Sequence, residues 1–170
     1  DNEHVGEEVY ISLINKATRY CWFVTPYLIL TDEMVHAIRL AKKRGVDVRI
    51  ITPAIPDKRI VYAVTRSYYH CLAKHGVRIY EYTPGFCHAK MCVVDDVVAT
   101  CGTINLDYRS LYHHFENGCL YAYGPAVQET RQDMEAMMRE SLEVTEKYNT
   151  GRSQGMRSIQ MLLRLIAPLL

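Results

Sequence analysis

The chain has 170 residues, and its 20 basic and 19 acidic side chains leave a net charge of +1. That length suffices for one domain with a real core, while the charge balance lacks the basic excess that marks most nucleic-acid binders. No stretch reaches the ~18 apolar residues of a membrane span, no secretory leader is evident, and a first residue of Asp instead of Met leads us to expect a piece of something longer.

The elements alternate. "EHVGEEVYISLINKA" reads as a helix with Val9, Leu13 and Ala17 on one face. "RYCWFVTP" reads as a strand ended by Pro26. "TDEMVHAIRLAKKRG" is a helix capped by Thr31 and stopped by Gly45. "VDVRIITP" is a strand, "DKRIVYAVTRSYYHCLAKHG" a third helix, and "VRIYEYTP" a third strand. This βαβαβ rhythm predicts an α/β fold with a mainly parallel sheet and right-handed crossovers.

Beyond it the rhythm changes. "HAKMCVV" and "VVATCGT" flank Asp95-Asp96, which signals a hairpin. "FENGCLYAY" is a further strand, and "PAVQETRQDMEAMMRESLEVTEKY" reads as one long helix with Pro125 in its first turn. We expect a domain over 1–150, a mixed sheet flanked by helices on both faces, and a separate amphipathic basic tail over 151–170. In that tail Met156, Ile159, Leu162, Leu163 and Ile166 form an apolar face, with Arg157, Gln160 and Arg164 on the other side. Such a helix suits an anionic membrane surface, or packs on protein.

The six cysteines, at 21, 71, 87, 92, 101 and 119, include no C-x-x-C. They read as buried free thiols in a reducing compartment. Cys87, His88 and Cys92 lie too close in sequence to suit a tetrahedral zinc site.

Polar chemistry gathers between His88 and Glu116. In a strand, residues two apart share a face, so His88 and Lys90 are expected to point the same way. Asp95 is an odd number of residues from His88 and falls at the turn, which suits fixing the hairpin. The return strand brings Gly102, Thr103 and Asn105 beside His88, and Glu116 opens the next strand. A carboxylate there is expected to accept the His88 Nδ1 proton and leave Nε2 free to attack. Lys90 and Asn105 offer donors for anionic oxygens, as phosphoryl transfer needs.

His88-x-Lys90-x4-Asp95, followed by Gly102-Thr103-x-Asn105-x-Asp107-x-Arg109-Ser110, resembles the HKD motif of the phospholipase D superfamily. "TPYLILTDEM", "RGVDVRIITP", "GVRIYEYTPGFCHAKMCVVDD" and "LIAPLL" resemble the C-terminal half of the bacterial cardiolipin synthase family, so the likeness covers nearly the whole chain. It implies a phospholipase D-like half in which His88 forms the phosphohistidine or acts as its acid/base partner. It further implies that Lys90, Thr103 and Asn105 line the phosphate, that Glu116 orients the imidazole, and that Asp95 joins the catalytic set as the acid of the motif. No metal or other cofactor is implied. The family completes its site with two such motifs, and this chain has one. A second half in the same chain, or a homodimer, is therefore expected. Cys87 and His114 stand where the family often has other residues; neither removes a catalytic group.

The activity so implied is transfer of a phosphatidyl group between two phosphatidylglycerol molecules, giving cardiolipin, by a full-length protein at the cell membrane of which this segment is soluble or peripheral. A hydrolase with the same site, a dimeric single-motif endonuclease and a non-catalytic half remain alternatives; the net charge speaks against specific nucleic-acid binding. Tyr27 has two readings, as a channel lining or as core. So has Arg109, as a headgroup contact or as a partner of Asp107 or Glu116. Tyr62, Tyr68 and Tyr69 are either a lipid-facing or interface surface, or buried.

Overall fold

The computed structural model describes residues 4–150. The tail over 151–170, with its predicted amphipathic helix, lies outside the described residues.

The first helix, α1 (Val5–Lys16), buries Tyr10, Leu13 and Ile14. Strand β1 (Tyr20–Val24) follows and is buried along its whole length. It is apolar throughout, as a central strand covered on both faces must be. Helix α2 (Asp32–Lys43) starts where the Thr31 hydroxyl accepts from the Met34 amide, a cap legible in the sequence. Acids occupy its first turn and lysines its last, matching the helix dipole. Gly45 ends it at φ +90, a conformation that side-chain-bearing residues avoid.

Strand β2 (Asp47–Pro53), helix α3 (Arg59–Ala73) and strand β3 (Arg78–Tyr82) complete the alternating half. Tyr68 and Tyr69 of α3 turn inward, and Tyr69 shares a 2.5 Å hydrogen bond with Thr52. They are core residues, so a lipid-facing role for them falls away.

Strands β4 (Met91–Val94) and β5 (Val98–Gly102) form the expected hairpin. Its turn residues Asp95 and Asp96 both have positive φ, 56 and 62, and the Val97 amide donates to the Val94 carbonyl at 3.0 Å. Two left-handed turn residues match the twist of the flanking strands. A π-helical turn (Arg109–His113) precedes strand β6 (Gly118–Ala122).

The expected long helix is divided. Helix α4 (Pro125–Arg139) stops, Ser141–Glu143 forms strand β7, and Thr145–Asn149 forms the short helix α5. The open edge of β3 claims this segment: β7 pairs antiparallel with it, and the Thr145 hydroxyl accepts the Ile79 amide at 3.0 Å. An unpaired strand edge outweighs local helix preference.

The sheet order is β6-β5-β4-β1-β2-β3-β7. It is mixed, with helices on both faces, as expected. Its balance differs from the expected one: parallel pairing is confined to β1, β2 and β3, and the other four junctions are antiparallel. Of these four, only β4 and β5 are joined by a tight hairpin, which admits no parallel pairing. One face packs on α1, α2, α3 and α5 through Phe23, Ile50 and Ile79. The other packs on α4, where Trp22, Ile51 and Val93 meet Val127 and Met134. Each fully buried aliphatic or Phe side chain contributes about 1.5–3 kcal/mol of hydrophobic stabilisation.

All six cysteines are free. Only Cys21 and Cys92, on strands covered from both sides, are buried; Cys101 and Cys119 face each other across β5 and β6 and are exposed. The expectation of buried thiols thus holds for the sheet centre and fails at its β6 edge, where no further strand covers the pair among the described residues.

Candidate active site

The topology gathers the polar residues at one end of the sheet. Strands β1 and β2 run parallel and exit at Val24 and Pro53, so Thr25–Tyr27 and the loop to Asp57 lie at their carboxyl ends. Strand β4 runs the other way and enters opposite Val24 at Met91, so His88 and Lys90 lie at this same end. Strand β5 returns beside β4 and exits through Gly102, and β6 enters opposite it at Gly118. Thr103, Asn105 and Glu116 therefore also project from this end. In open α/β sheets this is the end where ligands bind.

His88 and Lys90 are in extended backbone just before β4, not within it. The Lys90 carbonyl nevertheless accepts the Gly102 amide at 3.2 Å, which aligns the two segments. His88 is exposed, with the Tyr27 and Phe86 rings 6.3 and 5.6 Å from its own, centroid to centroid. Its pKa is lowered from 6.5 by desolvation first and then by the Lys90 and Lys58 charges, with Asp57 opposing. The imidazole is thus held in its neutral, nucleophilic form near neutral pH.

Lys90 is 7% exposed and its Nζ donates to the His88 carbonyl at 2.6 Å. Desolvation lowers its pKa, and the Glu116 and Asp107 carboxylates oppose that shift. Asn105 donates from Nδ2 to the Ser110 hydroxyl at 3.0 Å, while its buried Oδ1 has no partner. Amide oxygen and nitrogen are assigned from the hydrogen-bond network. With the amide reversed, Oδ1 accepts the Ser110 hydroxyl and Nδ2 becomes the free group, a buried donor without a partner.

Glu116 is in the loop before β6, not in the strand. Among the described residues it accepts from the Thr103 hydroxyl and makes no hydrogen bond to His88. The expected Glu116–imidazole contact is therefore not made here. The Thr103 hydroxyl also accepts the Asn117 amide at 2.9 Å, which locks the β5 exit to the β6 entry.

Asp95 is not at this end. It follows the last residue of β4 and accepts from the amides of Thr18, Arg19 and Tyr20 and from the Thr18 hydroxyl at 2.7 to 2.9 Å. Five residue steps of extended chain separate it from Lys90, roughly 16 Å. Burial disfavours its charged form, but these donors more than offset burial and lower its pKa from 3.8. Asp95 fixes the hairpin and the start of β1; a direct catalytic contact is out of reach.

Arg109 is exposed and forms no ion pair among the described residues, so the expected pairing with Asp107 or Glu116 is absent. Asp107 instead accepts the Ser110 amide at 2.8 Å, and burial raises its pKa. Ser110 thus anchors both Asn105 and Asp107, a role not read from the sequence, in which Ser110 figured only as the last residue of the motif. Asp57 and Lys58, whose charges reach His88, were also missed; their place after a parallel strand was the available signal. A hollow of about 480 Å³ opens beside the Glu116 loop and is lined by Val5, Ile104, His114, Phe115, Glu116 and Leu120, among others. His88 and Lys90 do not line it.

A family model described as cardiolipin synthase, PLD-like domain, matches residues 10–138. The chain belongs to this phospholipase D-like family. A protein of Streptococcus mutans with no assigned function is 45% identical over the whole chain, which spans 37% of that relative. Cardiolipin synthase 2 of Bacillus cereus is 35% identical over 96% of the chain, which spans 32% of it. This phospholipase D-like chain is thus about a third the length of the curated relatives it matches. Among solved structures, the phospholipase D family member Nuc of Salmonella typhimurium matches 81% of the chain and 89% of its own at TM-score 0.70 and 18% identity. Phosphatidylserine synthase of Haemophilus influenzae matches 96% of the chain and 44% of its own at TM-score 0.72 and 16% identity. These two show the fold.

Proposed function

We propose that this phospholipase D-like domain supplies one of two H-x-K motifs of a phosphatidyltransferase that makes cardiolipin from two phosphatidylglycerol molecules. The observation that carries the reading is the meeting of a neutral, exposed imidazole at His88 with Lys90, Thr103, Asn105 and Glu116 at one end of the sheet, in a chain related to cardiolipin synthases.

His88 Nε2 attacks the phosphorus of one phosphatidylglycerol. The bond from phosphorus to the glycerol oxygen breaks, and the glycerol leaves with a proton from the histidine of the second motif. Lys90 and the Asn105 amide donate to the phosphoryl oxygens as charge builds on them. The Thr103 hydroxyl holds Glu116 at the rim, where its charge balances Lys90. A hydroxyl of a second phosphatidylglycerol then attacks the phosphohistidine. Its proton passes to the second histidine, the phosphorus–nitrogen bond breaks, and His88 is restored. The donors for the developing charge are side chains, so this reading calls on no metal or other cofactor. Transfer requires that the second lipid reach phosphorus before water does.

The second motif is expected in the same polypeptide or in a second copy. The whole protein is expected at the cell membrane, on an anionic lipid surface, and no helix among the described residues is long and apolar enough to cross one. The test is trapping. The full-length enzyme, quenched during turnover of phosphatidylglycerol, should carry a phosphatidyl adduct on the peptide containing His88, or on the second histidine with His88 needed for its release. His88→Ala should abolish cardiolipin formation. Turnover of that variant within tenfold of wild type would overturn the reading.

A further inference from the structure

The loop after β2 carries a feature that the H-x-K reading leaves unused. The Tyr27 hydroxyl donates to Asp57 Oδ2 at 2.5 Å, joining the segments that leave the parallel strands β1 and β2. Pro26, Pro53 and Pro56 cluster around Tyr27, Asp57 and Phe86 at a shallow surface crease. Prolines hold such loops with little conformational freedom to lose. The Tyr27 and Phe86 rings are the same two that flank His88. Asp57 is exposed, and its Oδ1 has no hydrogen bond among the described residues.

We propose that Asp57 and Tyr27 form a hydroxyl-recognising subsite beside His88, which takes a polyol headgroup of the phosphodiester attacked there. The proposal rests on the reading of His88 as the group that attacks phosphorus. A carboxylate only accepts hydrogen bonds when ionised, and alcohol hydroxyls donate them. A carboxylate repels the phosphate itself, so Asp57 suits the uncharged end of the headgroup. An acid that accepts from a diol is the device by which dinucleotide-binding folds recognise ribose. Tyr27 keeps its proton, because burial and the Asp57 carboxylate push its pKa up, so it remains a donor that holds the carboxylate in place.

The same aromatic and acidic set would also suit an ammonium headgroup, except for one neighbour. Lys58 Nζ stands 5.8 Å from the centre of the Tyr27 ring, over one of its faces. A like charge beside the ring disfavours a second cation, and so favours a neutral polyol over a choline- or ethanolamine-type headgroup.

The experiment uses the full-length enzyme and three diesters: phosphatidylglycerol, phosphatidylethanolamine and bis(p-nitrophenyl) phosphate, which carries no headgroup hydroxyl. Asp57→Asn should lower the ratio of kcat/KM for phosphatidylglycerol to that for the aryl diester at least tenfold, mostly through KM. Tyr27→Phe should shift it the same way by less. Both variants should melt near wild type, since Asp57 is exposed and Tyr27 keeps its ring. An unchanged ratio, whether both substrates fall together or neither moves, would overturn the subsite. So would a wild-type preference for phosphatidylethanolamine that Asp57→Asn abolishes. His88→Ala provides the separate control: full activity in that variant would overturn the nucleophile reading and the subsite with it, whereas the Asp57 outcomes overturn the subsite alone.

Discussion

Gly102 and Gly118 face each other across β5 and β6 with no room for a side chain between the strands. A Cβ on Gly102 would fall 2.4 Å from the Asn117 carbonyl oxygen and 2.6 Å from the Gly118 Cα. Both obstacles are backbone, so the strand must move. The segment displaced carries Glu116 and the Asn117 amide that binds Thr103. Gly102→Ala is expected to cost about 1–3 kcal/mol, as overpacking does, and to lower activity of the full-length enzyme more than that loss alone explains. Cys101→Ala, one residue away and exposed, should stay within about 0.5 kcal/mol of wild type. Urea unfolding of the two variants checks this; equal effects would mean that the close approach does not matter.

Asp95 satisfies three backbone amides at the start of β1. Only the Tyr20 amide among them is buried; a buried donor left without a partner costs roughly 1–3 kcal/mol, so Asp95→Ala should destabilise the domain by about that much. The pH dependence has a definite sign. The folded-state pKa lies below 3.8, so the ionised carboxylate contributes stability in full above about pH 4, and that contribution is lost as pH falls from 3.8 through the depressed folded value. The gap in unfolding free energy between wild type and Asp95→Asn should narrow over that acid window. A gap independent of pH would contradict the charged role.

His88 is expected to titrate below 6.5, since desolvation and then Lys90 and Lys58 disfavour the imidazolium. Following its ring protons by NMR while lowering the pH will show this directly. Lys58→Ala should raise the midpoint, because a nearby positive charge is removed. A midpoint above 6.5 in the wild-type domain would mean that a carboxylate outweighs those terms.

Arg66 holds Glu81 through two parallel bonds of 2.8 Å, Nε to Oε1 and Nη2 to Oε2. The Glu81 side chain is only 5% exposed, while that of Arg66 is 34% exposed. Removing the partner of a buried charge costs about 3–5 kcal/mol; the exposed side of Arg66 lets water in and lowers that to about 2–3 kcal/mol. Arg66→Ala should show this loss in thermal unfolding. Arg66→Lys should recover only part, because an ammonium cannot reproduce the planar fork. Full recovery by Lys would reduce the pair to simple charge.

Much of this was legible from residue order because it depends on local physics. Thr31 before an apolar helical face, Gly45 after it, and Asp95-Asp96 between two short apolar runs each specify backbone geometry within a few residues. Spacing put His88 and Lys90 on one face, and the resemblance to the phospholipase D superfamily added Thr103, Asn105 and Glu116. Odd spacing and the turn position hinted that Asp95 only fixes the hairpin, yet the family resemblance counted it in the catalytic set; the fold carries it to the opposite end of the sheet. What the chain order could not supply were long-range choices. The open edge of β3 took Ser141–Glu143 from a segment with helical preference, because pairing a strand edge outweighs a few tenths of a kcal/mol per residue of propensity. Glu116 found Thr103 instead of His88, and Tyr27 found Asp57, 30 residues away. Periodicity, capping and turn chemistry act between near neighbours and so are written in the sequence, whereas a side chain's partner depends on which strand ends the sheet order brings together, and only the tertiary structure decides that.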